Sequence, residues 1–421
     1  MTTPSSAVSA GAPASLTTTV GPGGRIHTLD LLRGFALLGM ILVHFHQYME
    51  TEAGGLEGWI GWFTWLGVET KAWGTFAFLF GVGFAVLLRG FEARGAPIVA
   101  FYLRRLFGLA VFGFIAEAFF GFHVLLEYAI WGLPLLLMRR WSNRALIVVA
   151  LVSLACSPLL QLGSTAYRSI GRGSAGSAIE PSAAASSAVD AERRVNEAVE
   201  AASAGGRYAP LLRSRLERMR VKYSHWGVYT PGVNLALFVI GLLACRRGVF
   251  DEPKWHWRLI VAVMTFGFLS WTLSWLLFAF APGLMSNAYG RAIGTGFGLI
   301  HDQWLCFTYI GALTLLIAWR PAWQERLSLI GAAGRMALTN YMLQVAALDF
   351  LASSYGAGLR VRPLFSVLGT VLLFGVLAVL SRWWLSRFRF GPAEWLWRCF
   401  TYLRIQPLRQ ARGPGAALEA A

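Results

Sequence analysis

No feature constrains this chain more than its succession of apolar runs. Crossing the hydrocarbon of a bilayer as a helix takes about 20 mainly apolar residues. Runs of that kind fall at 30–48, 71–90, 99–120, 122–138, 144–161, 228–245, 257–281, 303–319, 333–353 and 364–386 of the 421 residues. In lipid every backbone N–H and C=O must be satisfied internally, which a helix achieves within its own segment. The expected fold class is all-α: a polytopic membrane helix bundle of about ten transmembrane helices. Lys and Arg number 37 against 21 Asp and Glu, a net charge of +16. An excess of that sign ordinarily suggests nucleic acid. Here only 14% of residues are charged and 56% are hydrophobic, whereas a soluble chain is about 25% charged. A soluble basic protein, a disordered chain and a disulfide scaffold are excluded, and no nucleic-acid partner is expected.

The segments between the runs divide the chain. Residues 1–24 are rich in Ser, Thr, Ala, Gly and Pro and read as a disordered tail without the basic-then-apolar pattern of a signal peptide. Residues 25–162 form an N-terminal transmembrane half of about five helices, and 228–389 a C-terminal half of about five. Between them, 163–227 is polar. Its Gly/Ser/Ala-rich start to 189 reads as a linker, and 190–224 as one or two amphipathic helices broken at Gly205-Gly206. Trp59, Trp62 and Trp65 recur every third residue, which suits a short interfacial or re-entrant helix over 56–68. In 390–421, Trp395, Trp397, Phe400 and Tyr402 interleave with Arg398, Arg404 and Arg409. That spacing suits an interfacial helix in the headgroup layer, followed by a tail. Cys156, Cys245, Cys306 and Cys399 lie in or beside apolar runs without metal-ligand spacing, so no metal is expected.

Orientation follows from Lys and Arg in short loops. Arg89–Arg105, Arg139–Arg144, Arg246–Arg258 and Arg320–Arg335 crowd one set of alternate loops, against Lys71, Arg291, Arg360 and Arg362 in the other. The expectation is a multi-pass protein with both termini cytoplasmic and 163–227 extracytoplasmic.

Ionisable and amide side chains inside spans are costly and are functional candidates. The first span, LDLLRGFALLGMILVHFHQYM, is the densest. Asp30 and Arg33 are three apart and can pair. His44 follows Arg33 by eleven residues, a step that returns to within about 20° of the same helix face and advances about 16 Å. The arrangement suits a reaction path along that face. It equally suits an anchored helix start with His44 bonded to a neighbouring helix. His123, Glu127 and Tyr128 in the fourth span, His301 and Asp302 at the start of the eighth, and Asn340, Tyr341 and Gln344 in the ninth are further candidates. Asn and Gln in membrane helices also serve as interhelical bonds. The GVG within GTFAFLFGVGFAVLLRG is read as helix packing, not nucleotide binding.

Several blocks resemble the YeiB-like family of bacterial membrane proteins, domain-of-unknown-function family 418. They are RIHTLDLLRGFALLGMIL at 25–42, FAFLFGVGFAVLLR at 76–89, YLRRLFGLAVFGFIAEAFF at 102–120, YAIWG at 128–132, GRMALTNYMLQ at 334–344 and FGPAEWLWRCFTYLRIQPLR at 390–409. YeiB-like proteins often carry Asn where His44 stands, and Gly-Asp-Ile-Leu where this chain has FHVL with His123. The resemblance places the chain in the transmembrane acyltransferase superfamily, in the bacterial cytoplasmic (inner) membrane. It implies a ten-helix bundle passing an acyl group from cytoplasmic acyl-CoA to a hydroxyl or amine of an extracytoplasmic glycan or lipid-linked acceptor. The Arg33-x10-His44 spacing is similar to that of acyltransferase-3 enzymes. Under this resemblance His44 is the base, Arg33 with Asp30 binds donor phosphate or orients the polar line, and Arg104, Arg105 and Arg139 hold the nucleotide end of CoA. His123, Glu127, Tyr128, His301, Asp302, Asn340, Tyr341 and Gln344 would then face substrate. A homodimer is compatible with this reading. A transporter or lipid-binding protein without covalent chemistry stays open, as does a scaffold acting through 163–227.

Overall fold

The computed structural model describes residues 27–49, 51, 53–122, 124–156, 159, 183–224, 232–280 and 288–410, with side chains 183–189, 274, 277–279 and 288–303 outside that description. The described residues are helical throughout, apart from turns and one isolated bridge between Phe388 and Arg409. In chain order the helices are α1 His27–Met49, α2 Gly55–Phe63, a π-helical stretch Thr64–Glu69, α3 Thr70–Glu92, α4 Val99–Phe120 and α5 Val124–Met138. They continue as α6 Asn143–Cys156, α7 Ala183–Ala204, α8 Tyr208–Ser224, α9 Val233–Arg246, α10 Trp257–Phe280 and α11 Ala288–Trp319. The last are α12 Ala322–Arg326, α13 Ser328–Arg335, α14 Ala337–Ala352, α15 Pro363–Leu385 and α16 Pro392–Tyr402.

The expected apolar runs fall on helices over most of their described residues, with parts of 122–138, 144–161, 228–245 and 257–281 outside the described residues, and the all-α membrane bundle stands. Among the described residues, four stretches are long and apolar enough to cross a membrane: His27–Met49, Gly55–Glu92, Val99–Phe120 and Pro363–Leu385. Three departures matter. The aromatic 56–68 segment runs on through the π-helical turns into α3, giving one continuous 38-residue helical stretch. The run 333–353 is two helices, because Met336 (φ −108°, ψ 34°) leaves the helical region between α13 and α14. The polar helix α7 begins at Ala183, inside the segment expected to be a linker, and α8 follows a turn at Gly206 (φ +65°).

Small residues let helix backbones touch where lipid provides no hydrophobic drive. A Cβ at Gly81 would lie 1.9 Å from the Phe238 carbonyl oxygen, and one at Gly241 would lie 2.1 Å from that of Phe78. Helices α3 and α9 therefore cross backbone to backbone, and the first glycine of GVG is a packing residue as expected. The crossing of α1 with α13 is equally close: a Cβ at Gly334 would meet the Asp30 carbonyl oxygen at 1.9 Å.

Candidate functional site

The Gly34–Gly334 crossing sets one end of the site. It brings Asp30 and Arg33, paired at 3.0 Å, beside Arg335 at the end of α13. Helix α16 closes the same end. Its Trp397 indole donates to the Arg105 carbonyl at 2.8 Å, and the Arg105 guanidinium lies 3.9 Å from the Trp397 ring centroid. Arg398 stacks on Phe390 at 4.3 Å. Glu394 reaches the start of α14, accepting from the Leu338 N–H at 2.7 Å, the Thr339 N–H at 3.1 Å and the Thr339 hydroxyl at 2.5 Å. A carboxylate there satisfies N–H groups that have no partner within the helix. Burial still pushes the Glu394 carboxyl above its ordinary value, against those hydrogen bonds.

These elements enclose a cavity of about 380 Å³. Its mouth gathers Arg33, Arg105, Arg335, Arg389 and Arg398, five guanidiniums, against the carboxylates of Asp30 and Glu394. From there it runs inward between α1, α3, α4 and α5 to Met40, Val124, Leu125, Tyr128 and Tyr341. The Tyr128 hydroxyl is committed to the Trp73 carbonyl at 2.6 Å, and Tyr102 donates to the Gly132 carbonyl at 3.2 Å. The Tyr341 hydroxyl has no hydrogen-bond partner among the described residues, although the residue is only 4% exposed.

His44 lies one helical turn beyond Met40, about 6 Å along α1. It is buried and does not line the cavity. Its ring centroid stands 4.3 Å from that of Phe122, which in turn packs at a tilt against Tyr48, 4.7 Å between centroids. Helix α8 covers this end. Arg215 makes a buried two-pronged ion pair with Asp349 and also donates to the Phe119 carbonyl. Arg218 donates to the Gly121 carbonyl at 3.1 Å. Lys222 bridges Glu127 at 2.7 Å and Glu117 at 3.5 Å, and the Tyr223 hydroxyl donates to Glu117 at 2.6 Å. Burial and the neighbouring Glu117 carboxylate push the Tyr223 phenol up.

The structure thus brings Asp30, Arg33, Arg105, Tyr128 and Tyr341 around one cavity, while His44, Glu127, Arg104, Arg139, Asn340 and Gln344 do not line it. Glu127 belongs to the α8 network. Arg104 donates to the Thr401 carbonyl and anchors α16, and Arg139 donates to the Leu136 carbonyl at the end of α5. Asn340 bonds to the Ala333 carbonyl at 3.0 Å and to Ser381 at 2.8 Å, tying α14 to α13 and α15. Gln344 is fully buried one turn beyond Tyr341. His123 lies outside the described residues, as do the side chains of His301 and Asp302. Lys71, counted with the loops, is a buried residue of α3. It lines a second, apolar cavity of about 380 Å³ with Leu32, Gly39, Val68 and Tyr309. Sequence reasoning missed Tyr102, Arg335, Arg389, Glu394, Trp397 and Arg398 at the first cavity. The signal for Glu394, Trp397 and Arg398 was the Arg- and Trp-rich block at 390–409, read as an interfacial helix.

The cavity joins two segments that are each similar to a known family. Residues 244–404 match the family described as protein of unknown function DUF418. The uncharacterized protein YxaH of Bacillus subtilis is 28% identical over 91% of this chain and 96% of its own length. The uncharacterized protein YeiB of Escherichia coli is 27% identical over 90% of this chain and 97% of its own. The chain is similar to YeiB-like proteins over about nine-tenths of its length. An uncharacterized 39.9 kDa protein of Bacillus acidopullulyticus is 26% identical over 91% of this chain and 96% of its own length. Residues 25–168 of the chain match the model described as heparan-alpha-glucosaminide N-acetyltransferase, catalytic. That match relates it to membrane acyltransferases. It holds Asp30, Arg33, Arg105 and Tyr128, while the DUF418 match holds Arg335, Tyr341, Glu394 and Arg398. No solved structure matches the chain.

Proposed function

We propose that the protein is a membrane acyltransferase that draws its acyl group from an acyl-CoA-type donor at the arginine-lined mouth. The acyl group passes toward His44, to a hydroxyl or amine of a glycan or lipid-linked acceptor. The observation that carries this reading is the cavity itself, with five guanidiniums around its mouth and an interior that reaches to within one turn of His44. Guanidinium groups match phosphate oxygens in pairs, and clustered like charges are relieved by a bound polyanion. The volume suits the acyl-pantetheine arm, with the nucleotide held at the rim. The proposed setting is a bacterial cytoplasmic membrane, with the arginine end facing the cytoplasm. His44 acts as the base that takes the acceptor's proton.

The test is transfer of labelled acetyl from acetyl-CoA to extracted envelope glycans and lipids by the purified protein. Wild type transfers label, and His44→Ala is slower by about 10²- to 10⁴-fold. Equal rates sink the role of His44, and no transfer by wild type to any acceptor sinks the reading. The second cavity, apolar except for Lys71 and Thr75, favours lipid binding as the other reading. Lipid that co-purifies in the wild type and is lost in Lys71→Ala, without acyl turnover, would establish it.

A further inference from the structure

Two buried side chains of α14 carry polar atoms that no neighbour bonds among the described residues. Asn340 is fully engaged with neighbouring helices, but the Tyr341 hydroxyl and both amide atoms of Gln344 meet no hydrogen-bond partner among the described residues. Tyr341 lines the cavity, and Gln344 is 0% exposed. The two are three residues apart and share a face of α14. Around Tyr341 the packing is apolar, with Met40, Phe122 and Val345 in the same cluster. Leaving polar groups unbonded in such a place destabilises a fold, so their retention calls for a ligand atom.

The cavity's two ends are chemically unlike. Its mouth is cationic and its interior offers an uncharged hydrogen-bond donor in apolar surroundings, about 10 Å further along α1. A molecule that fits both ends has an anionic head and a neutral carbonyl near the far end of an extended arm. We propose that Tyr341 and Gln344 hold the oxygen of the reacting acyl carbonyl. The thioester then sits at the inner end of the cavity, on the side toward His44. This assignment rests on the acyltransferase reading above and adds the residues that would stabilise its charged intermediate.

The step balances as follows. The acceptor oxygen or nitrogen forms a bond to the thioester carbonyl carbon while its proton passes to His44. The carbonyl π electrons move to oxygen, which accepts hydrogen bonds from the Tyr341 hydroxyl and the Gln344 amide N–H. The carbonyl re-forms, the C–S bond breaks, and the departing CoA sulfur takes the proton from His44. Donors aimed at the developing oxyanion from an apolar wall act more strongly than in water.

The experiment uses the full chain in detergent and the variants Tyr341→Phe and Gln344→Leu. Neither substitution removes a protein hydrogen bond, so both are expected to purify like wild type. Acetyl transfer gives kcat and KM, and titration with CoA, which lacks the carbonyl, gives head-group binding. The expected result is a fall in kcat of about 10²- to 10³-fold in Tyr341→Phe, a fall in the same direction in Gln344→Leu, and unchanged CoA binding. Normal kcat in both variants overturns the assignment and leaves the enzyme reading intact. Joint loss of kcat and CoA binding overturns it in favour of a structural role. A wild type that neither binds CoA nor transfers acetyl overturns the enzyme reading, and this assignment with it.

Discussion

The docking of α8 makes a quantitative prediction about Arg215. The Arg215 and Asp349 side chains are only 6% and 4% exposed. Replacing Arg215 with Ala would strand a carboxylate with two hydroxyl donors, Ser353 at 3.0 Å and Tyr355 at 2.7 Å. It would also strip the Phe119 carbonyl of its guanidinium donor. Breaking a buried pair from one side costs about 3–5 kcal/mol. The two hydroxyls temper the loss, so the lower figure is the better one. At about 1.4 kcal/mol per tenfold, 3 kcal/mol multiplies the open population of α8 by roughly 100 to 150.

Native-state amide exchange followed by mass spectrometry reads that population directly, as long as reclosing is faster than exchange. Amides of α8 should exchange about 100-fold faster in Arg215→Ala, while those of α1 and α3 keep their wild-type protection. A doubly apolar variant, Arg215→Met with Asp349→Leu, should recover most of the protection, because removing both charges of a buried pair is often neutral. Unchanged α8 exchange in Arg215→Ala would refute the idea that this pair holds α8 to the bundle.

Other outcomes are sharp enough to check. Gly81→Ala forces a methyl group onto the Phe238 backbone, which no side-chain rotation relieves. Overpacking of this kind costs about 1–3 kcal/mol or more, and the variant should lose its monodisperse peak at a lower temperature on size exclusion. Gly83→Ala meets nothing within 4 Å, so it should purify like wild type. Because Gly83 lines the cavity, its methyl group should weaken CoA binding instead. Glu394→Ala removes the acceptor from the Leu338 and Thr339 N–H groups, at about 1–3 kcal/mol. Limited proteolysis should then cut between α15 and α16 sooner than in wild type.

The bundle was legible because each apolar run carries its own signal: it is long, it lacks charge, and lipid allows it one backbone solution. Asp30 and Arg33 were legible because their contact lies within a single helix turn. The break at Met336 was not, since 333–353 is apolar on both sides of it. What fixes the start of α14 is Glu394, more than fifty residues further on. The cationic mouth was hidden for a different reason. An arginine at a helix end carries the same sequence signature whether it faces lipid headgroups or a cavity. Arg105 and Arg335 were therefore absorbed into the topology count, and Arg398 into an interfacial helix. The docking of α16 against α4 together with the α1–α13 crossing brings them together. Lys71 shows the converse: a charge assigned to a loop by its position between runs is buried inside α3.

The distribution of that charge bears on what the cavity is for. Orientation in a membrane needs positive residues near the ends of spans, and arginines facing water serve it fully. Bringing five guanidiniums to one opening against two carboxylates adds nothing to orientation and sets like charges against each other. Arg105 illustrates the tension, lying within electrostatic reach of both Arg398 and Arg33. Its planar group rests on Trp397, and Arg398 rests on Phe390. Such stacking orients a guanidinium. Under the proposed function, the arginines that line this entrance suit a polyanion that comes and goes. The same logic separates the two ends of α1. At the His44 end the α8 cations are met by Glu117, Glu127 and Asp349, as a closed structural joint requires. At the Arg33 end five arginines meet two carboxylates among the described residues that line the cavity, and under the proposed function a phosphorylated donor would enter there.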